Sequence, residues 1–248
     1  MSYDEVRPGG FSILPPVVKN LLIINGLFFL GTVAFSRYGI DLTKLLGLFI
    51  PQSDYFKPHQ LVSYIFMHGN LEHIFFNMFA LWMFGSALEN YWGGKRFLVY
   101  YMVTGLGAGF IHLLVQEAQL FSLIGQISEE QMAAIRHEGL SILEMGQNYA
   151  DGILAQYNLL VNTPTVGASG AVFGLLLAFG MMFPNARIYV YLLFPIKAKY
   201  FVVLYGLFEL ISGISNRPGD NVAHFAHLGG MIFGYILIRY WQKRRFRF

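Results

Sequence analysis

Apolar residues run along this chain in long blocks separated by short polar stretches. Six blocks, 19–36, 70–91, 97–116, 164–183, 199–215 and 221–240, are each long enough to be expected to cross a membrane. A helix needs about 20 mostly apolar residues to traverse about 30 Å of hydrocarbon. The apolar runs 45–50, 61–67 and 186–196 are too short to span and read as interfacial connectors. One connection is long and different in kind. Residues 117–163 carry Glu117, Glu129, Glu130, Glu138, Glu144 and Asp151 against a lone Arg136. Within it Ser128 is followed three residues later by Gln131, a capping-box spacing that marks a helix start. The expectation is one or two amphipathic helices on or above the outer membrane surface, with a solvated loop as the alternative. No repeat or linker interrupts the pattern, so one membrane domain over residues 1–248 is expected.

Composition agrees with the blocks. Hydrophobic residues make up 55% of the chain and charged residues 12%, about half the charged share of an ordinary soluble domain. The absence of cysteine removes disulfides, thiol nucleophiles and thiolate metal sites. A net charge of +3 is small and scattered, and gives no reason to expect a nucleic-acid partner. The placement of Lys and Arg is more informative. Of 17 basic residues, 12 fall on the side that would hold both termini; Arg37, Lys44, Lys57, Arg136 and Arg217 fall on the other. The positive-inside rule then puts both termini in the cytoplasm. The first residues, with Asp4 and Glu5, show no apolar signal-peptide core, so the first span is expected to act as its own signal anchor.

Polar side chains inside spans are costly and default to function. Here they are His73, Asn77, His112, Ser169, Glu209, His224 and His227. At 1.5 Å per residue, Ser169 falls about 8 Å below the outer edge, His227 about 9 Å, and His73 with Asn77 about 5–10 Å. Three spans thus bring a hydroxyl, two imidazoles and a carboxamide to one layer. Ser169 is surrounded by small residues in GASGAVFG. Gly170 and Gly174 make one G-x-x-x-G face and Gly230 and Gly234 another. Such faces allow the close helix approach that a Ser–His hydrogen bond between helices requires. His73 and Asn77, at i and i+4, share a helix face. Both can donate hydrogen bonds, which suits an oxyanion hole or, more blandly, a polar stitch between helices.

These residues resemble the rhomboid family of intramembrane serine proteases. The resemblance rests on G-A-S-G at 167–170, H-L-G-G-x-x-x-G at 227–234, H-x-x-x-N at 73–77 and Glu89 in GSALENYWG, and it covers about residues 56–240 in order. It implies an all-α, six-helix membrane bundle with an outer loop at 37–69 lying partly in the membrane. By motif, Ser169 would be the nucleophile, His227 the general base, and His73 and Asn77 oxyanion donors beside the Ser169 backbone N–H. Many members carry Trp-Arg in the outer loop where this chain has His59-Gln60, which puts the anchoring of that loop in doubt. His224 is read as a neighbour supporting His227. Glu209 matches no motif; it is read as bonding a neighbouring helix or tuning His227, and is not promoted to a third catalytic member, because the family uses a Ser–His dyad.

The implied activity is hydrolysis of peptide bonds in or near transmembrane segments of membrane-protein substrates, with no metal or cofactor. Spans two and five would form the substrate gate. The plain architecture suggests a bacterial plasma membrane. The principal alternative is a catalytically silent rhomboid-like binder of membrane proteins, although such relatives typically lose the Ser or the His. A metal or haem protein using His73, His224 and His227 would leave GASG unexplained. A transporter would call for repeated halves, and none is visible.

Overall fold

The computed structural model describes residues 11–190, 193–215 and 223–245. Asp4, Glu5, Arg7, Arg217, Arg247 and the first two residues of the sixth expected span lie outside them. The fold is an all-α membrane bundle. Helix α1 is Pro16–Ser36, followed by short α2, Leu42–Leu46, and α3, Gln60–Ser63. Helices α4, Leu71–Ala80, and α5, Ser86–Trp92, are joined without a break by a π-helical turn at Leu81–Gly85. Then come α6, Gly94–Ile124; α7, Glu129–Glu144; α8, Gly152–Asn162; and α9, Ser169–Met182. Strands β1, Arg187–Val190, and β2, Phe194–Lys197, precede α10, Ala198–Ser215, and α11, His224–Arg245.

Among the described residues four helices are long and apolar enough to cross a membrane: α1, the α4–α5 rod, α6 and α10. The other two expected spans correspond to α9 and α11. The run 186–196, expected as a connector too short to span, holds two short antiparallel strands, Arg187 paired with Lys197. One expectation needs correction. The fourth helix begins at Ser169, so Ser169 is its first residue and not its sixth. Residues 164–168 come before it as non-helical chain, with Thr165 bridged to Leu48 of the outer loop. At 14 residues α9 is about 21 Å long, less than the hydrocarbon thickness.

Helix α9 is the centre of the molecule. Nine of its 14 residues are buried, and the core around it includes Tyr100, Tyr101, Leu88, Val202 and Ile238. Helix α10 is the opposite case. Leu204, Phe208, Ile211 and Ile214 are exposed for contact with lipid, and its buried residues are Ala198, Val202 and Glu209. At the inner end Pro16 opens α1. The Glu89 carboxylate accepts from the Val17 and Val18 N–H groups at 2.9 and 2.8 Å. Those are donors that a helix start leaves without intrahelical partners.

At the outer end α6 continues for about 46 Å, well past the bilayer. It carries the insertion as a second apolar cluster: Leu120, Leu123 and Ile127 meet Met132, Ile135, Tyr157, Leu160 and Val161, with Ile50 of the outer loop. The capping box predicted from Ser128 and Gln131 opens α7, and Asp151 caps α8. Buried Asn162 donates to the Ile135 carbonyl at 2.8 Å, tying the two helices together. The insertion is thus a packed helical pair, neither a bare loop nor a helix lying alone on lipid. The outer loop is held by the residues that stand where Trp-Arg was expected. Gln60 is fully buried; its amide donates to the Tyr55 carbonyl at 2.9 Å and its oxygen accepts from the Lys57 N–H. The His59 Nε2 lies 2.9 Å from the Leu45 carbonyl.

Candidate active site

The site forms where the N-terminus of α9 meets α11, α4 and α10. Gly167 has φ of +129°, and a Cβ there would lie 2.8 Å from the His73 ring. Glycine at this position both permits the turn into α9 and lets the backbone touch His73. Ala168, at the N-cap, makes no side-chain cap. The first N–H groups of α9 are thus not taken by a capping side chain, and they carry the positive end of the helix dipole.

Ser169 Oγ lies 2.9 Å from His227 Nε2. This distance depends on the small residues. A Cβ on Gly230 would land on the Gly170 carbonyl oxygen, so α9 and α11 are in backbone contact beside the pair. The two G-x-x-x-G faces do not, however, mate along their length. Gly174 is filled by Thr104 and Gly234 by Tyr100, both from α6. The His227 ring stacks flat on Phe173, 4.1 Å between centroids and 7° between planes, which fixes its tilt.

On its other side His227 Nδ1 lies 2.8 Å from Glu209 Oε2, and His224 Nδ1 lies 2.7 Å from the same oxygen. All three residues are buried. An ionised carboxylate only accepts, so both Nδ1 atoms carry protons and donate. That tautomer leaves His227 Nε2 with its lone pair toward the Ser169 hydroxyl. Glu209, His224 and His227 are also close enough to be weighed as metal ligands. Their separations from the shared oxygen are hydrogen-bond lengths, shorter than the spacing of two ligands around a tetrahedral zinc with bonds of about 2.0–2.2 Å. His73 does not belong to this cluster, contrary to the metal alternative drawn from the sequence.

His73 packs edge-on against buried His68 at 5.1 Å. Its Nδ1 faces the Gly69 N–H at 3.5 Å, so Nε2, near Gly167, is the donor position. Asn77 is buried and returns one amide N–H to the His73 carbonyl at 2.9 Å. Its amide has a second N–H to offer. The structure therefore gathers Ser169, His227 and His73 at the start of α9, with Asn77 one turn below His73. It adds Glu209 to them. The sequence signal for Glu209 is a carboxylate inside an apolar span; it offers His227 as one of two readings and does not name His224.

The fold and the site define a polytopic membrane protein with a Ser–His pair, Ser169 half-buried and His227 buried, at a helix N-terminus. Residues 55–244 match the Rhomboid domain, and the chain belongs to the rhomboid family. It is 27% identical over 238 residues to RHOMBOID-like protein 12, mitochondrial, of Arabidopsis thaliana, covering 94% of this chain and 60% of that protein. It is 25% identical over 192 residues to Rhomboid protein 1, mitochondrial, of Saccharomyces cerevisiae, covering 75% and 44%. It is 26% identical over 244 residues to Rhomboid protease GlpG of Serratia proteamaculans, covering 95% and 68%. The chain spans about half the length of the mitochondrial relatives it matches.

Proposed function

We propose that this chain is an intramembrane serine endopeptidase acting on transmembrane proteins. The observation that carries the reading is Ser169 Oγ at 2.9 Å from His227 Nε2, at a helix start with no side-chain cap. In the proposed reaction His227 Nε2 takes the Ser169 proton as Oγ attacks the scissile carbonyl. The oxyanion is met by the Ser169 N–H, His73 Nε2–H and Asn77 Nδ2–H. The imidazolium then protonates the departing amine, leaving an acyl-enzyme. Water, deprotonated by His227, releases the acid and restores the serine. A helical substrate must unwind locally, because its carbonyls are otherwise bonded within the helix. The family resemblance places entry between the α4–α5 rod and α10 and favours small residues at the cut.

Membership of a family with a protease among its relatives supports the reading, as does retention of both Ser169 and His227. The charge asymmetry puts both termini on the inner side. Several relatives carry mitochondrial names, so they lend no weight to a bacterial plasma membrane. A fluorophosphonate probe tests the serine. Labelling of wild type, lost in Ser169→Ala and His227→Ala that remain folded, is the expected result. Equal labelling of all three removes the assignment. Failure to label folded wild type favours the non-catalytic binder.

A further inference from the structure

We infer that Glu209 is a positioning residue for the Ser169–His227 pair, making it a Ser–His–Glu relay in which His224 holds the carboxylate. The inference rests on the peptidase reading and deepens it. Glu209 sits on α10, one of the two least buried of the long helices, yet it is 2% exposed. A carboxylate in that setting is expensive unless charge-assisted bonds satisfy it. Both come from α11, where His224 and His227 at i and i+3 share a face.

The geometry does three things to His227. Its Nδ1–H is directed at Glu209 Oε2, which excludes the tautomer that would put the proton on Nε2 and block proton uptake from Ser169. The ring is held in its plane by Phe173 on one face, and in-plane rotation is stopped by the bond to Glu209. When Nε2 takes the serine proton, the imidazolium stands against a negative carboxylate, so charge separation is stabilised by a buried partner. The second bond, from His224, leaves Oε2 little freedom to turn away. Among the described residues the titratable neighbours of this cluster are Tyr205 on α10, His73 on α4 and His112 on α6.

A purely structural Glu209, stitching α10 to α11, predicts a different outcome from a positioning one. The test is kcat and KM on a liposome-reconstituted transmembrane reporter for wild type, Glu209→Gln, Glu209→Asp and Ser169→Ala, with Tm measured for each. Glu209→Gln keeps the shape but removes the charge and disturbs the tautomer. The comparable amide replacement in a serine triad lowers kcat about 10⁴-fold. A fall in kcat of about 10²–10⁴-fold is expected here, with KM within threefold and Tm near wild type. Glu209→Asp, charged but shorter, falls in between. Unchanged kcat in Glu209→Gln beside an inert Ser169→Ala overturns the inference and leaves the peptidase reading standing. So does a loss of kcat that only tracks a fall in Tm and a rise in KM. Should Glu209→Gln fail to fold, Glu209→Asp decides: kcat lowered at constant KM supports the role, and wild-type kcat refutes it. Cleavage that persists in Ser169→Ala would instead sink the peptidase reading itself.

Discussion

At the scale of single residues, the site is built by what is absent as much as by what is present. Gly167 has no Cβ to displace His73, Ala168 offers no cap to the N–H groups of α9, and Gly230 lets a carbonyl of α9 touch α11. Replacing Ser169 by Ala removes one oxygen from a site that is already packed. Its expected effect is loss of nearly all turnover, about 10⁶-fold in kcat where a serine nucleophile is deleted, with a Tm within a few degrees of wild type by thermal denaturation in detergent. Glu89 gives the complementary case. Its carboxylate is buried and serves the start of α1, far along the rod from His73. Glu89→Ala leaves two helix-start donors without that carboxylate. It should cost about 1–3 kcal/mol of stability, while kcat per folded molecule changes by less than about threefold. A matched loss of activity at constant stability would contradict that division of labour.

At the scale of elements, the contact of α9 with α11 is the joint on which Ser169 and His227 depend. In Gly230→Ala the new methyl meets the Gly170 carbonyl oxygen, and forced overpacking of this kind costs about 1–3 kcal/mol. The helices must part, and a displacement near 1 Å costs about 10²-fold in rate. Reporter cleavage should therefore fall about 10²-fold while the protein still folds; full activity would show that the Ser–His distance does not depend on this joint. The same joint shows what was legible beforehand. The apolar blocks gave α1, the α4–α5 rod and α10 to within a few residues because hydrocarbon demands length, whereas α6 runs eight residues past the expected end at 116. Ser128 and Gln131 located α7 because a cap is a local event. The start of α9 was misplaced because apolarity continues through Pro164–Ala168 although helix does not; the turn at Gly167 and the bridge from Thr165 to Leu48 are tertiary facts. Gly170 and Gly230 did predict a close approach, but Gly174 and Gly234 face α6, since spacing alone names no partner. Glu209 was visible as a charge in an apolar span with His227 as one reading of its partner; the bond from His224 to the same oxygen came into view only when α10 was set against α11.

At the scale of the whole molecule, helix lengths decide where water and lipid lie. The short α9 spans less than the hydrocarbon thickness, while the longer α6 exceeds it and carries the α7–α8 pair packed against Ile50 of the outer loop. The excess of Lys and Arg on the terminal side predicts an orientation with both termini inside. The natural chain has no cysteine, so single cysteines report sidedness cleanly. In sealed vesicles of native orientation a membrane-impermeant maleimide should label exposed Ser141→Cys at once, and Lys95→Cys only after the bilayer is opened. The reverse pattern would invert the topology and put the site on the other face. The central claim, that Ser169 cuts peptide bonds at membrane depth, is tested most directly by mass spectrometry of a single-span reporter co-reconstituted with the protein in liposomes. The account predicts a discrete cut in or near the outer end of the reporter's transmembrane segment with wild type and none with Ser169→Ala. Cleavage by both, or no cleavage by folded wild type, would contradict it.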